Sequence, residues 1–437
     1  MLMLKSHFEV DERGHLIIGG CDSVELAERF GTPLYVVDEQ RVRENYRRFY
    51  RAFARRWRDV MVCYAYKANS NLAICKILQS EGAGAEVSSL CELNIARRVG
   101  VPGERTVFNG NNKSSAELER AIAEGVLINV DSLQELHAVG RIASRLGLRA
   151  RIGFRVNPDI SAPTHPYIAT GLRESKFGLD VASGQALEAY RTASRMETVE
   201  VVGIHCHIGS QILDPAPFEE EAERLMAIVA QLKAELDLDI RFLDMGGGLG
   251  IPYKPGDVEL HPEQLASRVV PVIEREVDEH GLLPPTLVFE PGRYIVGDAG
   301  VLLARVGYCK ERQGMPGWVA VDAGMNALIR PALYGAYHHI EVANKMTAEP
   351  EQVVNVAGPL CESGDFLGKE RRLPRVEPGD LLAIFDVGAY GLAMSNQHTA
   401  QPRPAMVLVN SGRAEVVRLR ETCEDLTRLD RMPGWLT

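Results

Sequence analysis

From about residue 33 to 295 the chain repeats one unit: a short apolar run, a polar or glycine-rich turn, then a helical stretch. Nine runs read as strands: LYVVD (34–38), VMVCYAY (60–66), GAEV (84–87), TVFNG (106–110), LINVD (127–131), RIGFRVN (151–157), VVGIHCHIG (201–209), RFLDMG (241–246) and TLVFEPG (286–292). Helical patterns such as VRENYRRFYRAFARRW (42–57), SAELERAIAEG (115–125) and EEEAERLMAIVAQLKAEL (219–236) lie between them. This alternation predicts βα units around a parallel sheet. The runs are apolar on both faces, as a sheet covered by helices requires. A closed (β/α)8 barrel takes eight strands, so LYVVD is read as a lead-in and the barrel sheet starts at VMVCYAY. An open doubly wound sheet is the alternative.

After about residue 298 the texture changes. VLLARVGYCKE, WVAVDAG, VVNVAGP, LLAIFDVG, AMVLVNSG and AEVVRLR are short, rich in Val and Leu, and broken by Gly and Pro. They predict an all-β domain, a sandwich or a small barrel. Near the N-terminus HFEVDERGHLIIGG reads as a hairpin able to join it. The expected division is an α/β barrel over 34–297 and a β domain made of 1–33 and 298–437.

Composition narrows the function classes. With 46% apolar and 25% charged residues the chain is an ordinary globular one, not a disordered or fibrous one. Its net charge of −10 argues against a general nucleic-acid or anionic-membrane binder. Eight cysteines (21, 63, 75, 91, 206, 309, 361, 423) are scattered without a CxxC pair, so buried or free thiols and a reducing, cytoplasmic setting are expected. MLMLKSHFEV lacks the pattern of a signal peptide, and no run is long enough to span a membrane.

The residues suited to chemistry cluster at the C-terminal ends of the candidate strands, where a barrel places its active site. In YAYKANSN, Lys67 closes an apolar strand, where partial desolvation makes an amine nucleophilic. A lysine snorkelling from a strand end is the plainer reading. In LDMGGGLGIPY, Gly246, Gly247 and Gly248 let backbone N–H groups approach an anion, or simply make a tight turn. In GIHCHIGSQ, His205 and His207 lie two apart, on one side of a strand, and Ser210 offers a hydroxyl. No ligand-spaced Cys/His set accompanies the two histidines, so no metal is expected, and a zinc hydrolase stays as an alternative. A flat imidazole can instead pack on an aromatic cofactor. In FEPGRYIVG, Glu290 ends an apolar strand, where a carboxylate needs a partner, and Arg293 can grip phosphate or carboxylate at two points. A Glu290–Arg293 ion pair is the structural alternative. In the β domain, Arg330 and Tyr334 stand four apart, Cys361 and Glu362 sit in a glycine-framed turn, and DVGAYGLAMSNQHT holds Tyr390.

Taken in order, these motifs resemble the fold-type III pyridoxal-phosphate-dependent amino-acid decarboxylases. The resemblance runs from about residue 30 to 430 and takes in FNGNNKS, INVDS, RVNPDI, THPYIATGLRESKFG and RLRETCEDL. It implies a PLP-binding (β/α)8 barrel with a β domain that contributes substrate-binding and catalytic residues, in a homodimer with shared active sites. Lys67 would carry pyridoxal 5'-phosphate, and His207 would stack on its ring. Ser210, Gly246, Gly247 and Gly248 would take the phosphate, with Gly292 and Arg293 alongside. Glu290 would pair with the ring nitrogen. Tyr390 would come from the other subunit, near phosphate and substrate. Cys361 would return a proton to Cα, Glu362 would recognise the distal amino group, and Arg293, Arg330 and Tyr334 the distal carboxylate. The implied reaction converts meso-2,6-diaminopimelate to L-lysine and CO2. Carboxynorspermidine, ornithine or a carrier-tethered amino acid are alternative substrates, and a non-catalytic PLP-binding protein is a further one. The chain departs from the family pattern with Glu86 for Asp, Leu90-Cys91 for Gly-Gly, Gln397-His398 in a run where Tyr is common, and Cys423 for Tyr.

Overall fold

The computed structural model describes residues 5–160 and 176–436. Most of the THPYIATGLRESKFG motif, up to Ser175, lies outside the described residues, as do Met1 to Leu4.

Contact density divides the chain into two units. Among the described residues the larger, Arg43–Pro252 with Val258–Ile295, holds eight parallel strands that pair in chain order, β1 Val60–Ala65, β2 Gly84–Val87, β3 Thr106–Phe108, β4 Leu127–Val130, β5 Ala150–Asn157, β6 Val199–His205, β7 Phe242–Asp244 and β8 Thr286–Phe289, and a two-residue strand, Leu179–Asp180, beside β5. Each pairs with the next, and β8 pairs with β1, so the sheet closes. Closure excludes the open doubly wound alternative. Inside lie Met61, Cys63, Val107, Leu127, Val202 and Val288, which fill the barrel rather than leave a pore.

Local signals set the helices that follow the strands. Ser89, Ser114 and Ser132 each cap a helix by accepting the N–H of a glutamate three residues on, Glu92, Glu117 and Glu135. Such caps contribute about 1 kcal/mol apiece. Gly100 and Gly147 end two of these helices in the left-handed region, which glycine enters without a Cβ penalty.

The smaller unit comprises Met1–Val42, Tyr253–Asp257 and Val296–Thr437. Its main sheet runs in the order Phe366–Leu373, Gln352–Ala357, Gly317–Val321, Gly300–Lys310, Leu34–Asp38, Ala405–Asn410 and Arg413–Arg418. The hairpin Phe8–Val10 and Leu16–Ile18 packs Phe8, Leu16 and Ile18 into one core with Leu34, Val36, Val301, Leu303, Leu381 and Val407. LYVVD is thus not a lead-in to the barrel. Leu34 pairs with Leu303 on one side and Ala405 on the other, and the larger unit begins only at Arg43.

Candidate active site

Every barrel strand ends in, or just before, a polar side chain. Glu86, Asn129, Arg155, His205 and Asp244 lie within β2, β4, β5, β6 and β7, and Asn109 and Glu290 directly follow β3 and β8. Lys67 sits in the helical turn Tyr66–Ala68 after β1. Register explains the ring: Arg155 pairs with His205 and His205 with Asp244, so three polar groups share one row. All of these except Lys67 are buried. Seven polar groups in an apolar barrel are costly unless they satisfy one another.

Most of them do. Lys67 Nζ donates to Glu86 Oε2 at 2.7 Å, with the lysine side chain 42% exposed and Glu86 fully covered. Glu86 Oε1 also accepts from Asn109 Nδ2 at 3.1 Å and from Ser88 Oγ at 3.2 Å. Asn109 Nδ2 donates to Glu290 Oε1 at 2.7 Å, and Asn129 Nδ2 donates to Asn109 Oδ1 at 2.9 Å. His205 Nε2 lies 3.5 Å from Glu290 Oε2. Asp244 Oδ1 accepts the Gly246 N–H at 2.9 Å.

Electrostatics separates two adjacent carboxyl groups. Burial, then the charge of Glu290, pushes Asp244 well above the usual carboxylate range. Burial also works against charge on Glu290, but His205, Lys67 and the Asn109 amide outweigh it and keep Glu290 ionised. Burial lowers His205, with Glu290 opposing. Burial and the cations Arg155 and Lys67 hold His207 well below the ordinary histidine value. Its Nδ1 accepts the Gly247 N–H at 3.3 Å, which fits a neutral ring protonated on Nε2. His205 ends β6, whereas His207 lies beyond it, so alternation along a strand does not relate the two. His205, Asp244 and Glu290 bring their ligand-type atoms within 4.8 Å of one another, a grouping that the His205–His207 spacing does not suggest.

The glycines act through close approach. A Cβ on Gly246 would stand 2.6 Å from the Cys206 carbonyl, on Gly247 2.4 Å from the Glu290 carbonyl, and on Gly248 2.6 Å from the Gly209 carbonyl. Gly246 and Gly248 also have φ of +60° and +113°. One on Gly292 would meet Ala68 Cβ at 2.9 Å, so this glycine lets the EPGR turn pass the Lys67 turn. Arg293 begins the short helix Arg293–Val296, and its Nη2 donates to Ser210 Oγ at 3.1 Å. Glu290 thus has Asn109 as a partner and Arg293 has Ser210.

Glu221 is a buried carboxyl that the sequence did not single out. It lies on the helix Ala216–Leu236 beside Cys206, and burial pushes it up to about 8. In the unfolded chain it ionises near the ordinary glutamate value, so the stability tied to its proton is full below that value and lost as pH rises towards 8. Glu221→Gln removes this dependence. Its melting temperature is expected to exceed that of the parent by ~4 °C at pH 8 and to match it near pH 4.5, as thermal scans across pH would show.

In the smaller unit, Arg330 and Tyr334 begin and end the helix Arg330–Tyr334, with Arg330 buried and Tyr334 half-buried. Cys361 and Glu362 are exposed on their turn, and Glu362 Oε2 meets His398 Nε2 at 3.1 Å. His398 is one of the departures from the family pattern, and the structure gives it this contact. Asp365 shapes the turn. Its buried carboxylate accepts the Leu360 and Met325 N–H groups at 2.7 and 2.6 Å, and its own N–H donates to the Glu362 carbonyl at 3.1 Å. Tyr390 holds φ at +57°, a strained conformation for a side chain of its size and of the kind that gathers at functional sites.

The donor set suits a phosphorylated pyridine aldehyde. It offers a partly exposed primary amine beside a carboxylate, an ionised glutamate for a ring nitrogen, a neutral flat imidazole, and an arginine–serine pair for a phosphate. Among the described residues no helix is long and apolar enough to cross a membrane.

Comparison with known proteins agrees. Residues 39–297 match the pyridoxal-dependent decarboxylases over their pyridoxal binding domain. The chain is 47% identical to a diaminopimelate decarboxylase of Methanothermobacter thermautotrophicus, over 98% of both chains. It is 40% identical to that of Bacillus subtilis, over 96% of each. A crystal structure of diaminopimelate decarboxylase from M. jannaschii in complex with L-lysine superposes with a TM-score of 0.94 at 44% identity, covering all of both chains.

Proposed function

The chain belongs to the pyridoxal-dependent decarboxylases, and from that premise we propose that it converts meso-2,6-diaminopimelate to L-lysine and CO2. The observation that carries the assignment is the full-length identity to enzymes of that name, at 47% in one case. Pyridoxal 5'-phosphate is the cofactor its barrel residues suit. Lys67 would hold it covalently, His207 would lie against its ring, and Glu290 would face the ring nitrogen. Ser210, Arg293 and the Gly246–Gly248 loop, with Gly292, would serve its phosphate. The hydrogen bond from Arg293 to Ser210 favours the phosphate role over the substrate role for this arginine. When bound, the cofactor supplies an electron sink for the pair left behind as CO2 departs.

The chain's own groups do the rest. Glu86 orients the Lys67 amine and stands at 2.7 Å, within reach of its proton. Asn109 ties Glu86 to Glu290, so the carboxylate beside the Lys67 amine and the one that would face the ring nitrogen are held in one hydrogen-bond network. Burial and the charge of Glu290 disfavour a second negative charge on the adjoining Asp244. Cys361 delivers a proton to the carbon that CO2 has left. Glu362 recognises the distal amino group, and Arg330 with Tyr334 the distal carboxylate. Tyr390 is assigned to phosphate and substrate from a second copy in a homodimer, a role in keeping with its strained backbone. Scattered, unpaired cysteines favour a reducing, cytoplasmic setting.

Incubation of the PLP-loaded enzyme with meso-diaminopimelate is expected to release CO2 and L-lysine in equal amounts, read by product chromatography. Turnover of ornithine or carboxynorspermidine with none of diaminopimelate would assign the alternative substrate.

A further inference from the structure

His338 is completely buried between a backbone carbonyl and a guanidinium. Its Nδ1 lies 2.8 Å from the Phe385 carbonyl oxygen, and its Nε2 lies 2.8 Å from Arg330 Nη1. A carbonyl oxygen only accepts, so Nδ1 carries the hydrogen and Nε2 presents its lone pair. A guanidinium only donates, which demands the same tautomer from the other side. Both contacts agree on a neutral imidazole that accepts from Arg330.

Arg330 is held on a second face. Its guanidinium carbon lies 4.6 Å from the Tyr253 ring centroid, and that ring meets His338 edge-on at 5.3 Å and 79°. Tyr253 comes from Tyr253–Asp257, a short segment that groups with the smaller unit although the sequence on both sides of it groups with the barrel. A remote stretch of chain thus returns to place one aromatic ring on one arginine.

We propose that His338 and Tyr253 are positioning residues that fix the plane of the Arg330 guanidinium for two-point recognition of the substrate's distal carboxylate. The inference rests on the assignment of Arg330 to that carboxylate made above. An arginine fork grips a carboxylate through two parallel N–H donors, so its affinity depends on the plane as well as on the charge. Pinning one Nη through His338 and one face through Tyr253 removes the rotations that would spoil that geometry. The competing explanation is that His338 merely satisfies a buried arginine. The two differ in what happens to ligands with and without the carboxylate.

L-Lysine keeps the distal carboxylate of diaminopimelate, and cadaverine is the same chain without it. Inhibition constants for both, with kcat and KM for diaminopimelate, are to be measured on PLP-loaded His338→Leu, His338→Gln and Arg330→Ala. His338→Leu is expected to weaken lysine and raise KM by ~10- to 100-fold, the loss of a hydrogen bond to a charged group. Cadaverine binding and kcat are expected to stay within about twofold of the parent, well below the effect of one charged hydrogen bond. His338→Gln, whose carbonyl can accept from Arg330, is expected to restore most lysine binding. If His338→Leu does not fold, His338→Asn takes its place, keeping a donor for Phe385 without the reach to Arg330. Equal weakening of lysine and cadaverine, or of neither, while Arg330→Ala weakens lysine alone, overturns the positioning role and leaves the Arg330 assignment standing. An Arg330→Ala enzyme that binds lysine normally overturns that assignment, and this inference with it.

Discussion

Lys67→Ala is expected to lower CO2 release from diaminopimelate by ~10³-fold or more, since the change removes both the amine that holds the cofactor and the proton it carries. Loss of rate alone would not separate chemistry from folding, because Glu86 is completely buried and loses its cationic partner. Lys67→Arg separates them. It keeps a positive charge within reach of Glu86 but cannot form the same covalent link, so melting temperature should stay near that of the parent while the rate falls as far as in the Ala variant. Asn109 and Ser88 still donate to Glu86 in either case, which limits the structural damage. A Lys67→Arg enzyme that retained a tenth or more of the activity would remove Lys67 from its assigned role.

Glu290→Gln is expected to be the second most damaging change, with kcat reduced ~10²- to 10³-fold and KM little altered. The structure concentrates its effort on keeping this one carboxylate charged, through Asn109, His205 and Lys67, while burial and that charge push the adjoining Asp244 above the usual carboxylate range. Glutamine matches glutamate in shape, so the change tests charge rather than packing. Visible absorbance of the purified variant reports cofactor retention, and stopped-flow measurement of CO2 release reports rate. Retained cofactor with a slow rate is the expected pair. A variant of normal rate would mean that this carboxylate has no electronic role.

The barrel was legible because each of its strands is a run apolar on both faces followed by an amphipathic helix, and eight such units can close. What the pattern could not say is which sheet a run of five apolar residues joins. LYVVD and a barrel strand look alike, and only the long-range pairing of Leu34 with Leu303 and Ala405 distinguishes them. Lys67 and Glu290 stood out because a charge at the end of an apolar run needs a partner or a route to water, though snorkelling and a local ion pair would each have supplied one. Asn109, Asn129 and Asp244 occupy equivalent places in TVFNG, LINVD and LDMG, and the same criterion applied to uncharged as well as charged groups would have found them. Glu86 was noticed only as a departure from Asp, whereas its extra methylene belongs to a side chain that spans from Lys67 to Asn109. His338 and Tyr253 gave no signal. Their importance comes from a contact between segments some eighty residues apart, which no local pattern records.

The placement of Leu34–Asp38 bears on how the chain is made. This strand leaves the ribosome ahead of the whole barrel, yet one neighbour begins at Gly300 and the other at Ala405. Nearly all the barrel lies between, so its strands can pair while the N-terminal one still waits. Through most of synthesis, then, an apolar strand has both edges open, the condition under which chains pair with the wrong neighbour. Residues 300–410 do more than extend the protein: they release the Leu34–Asp38 strand from that wait.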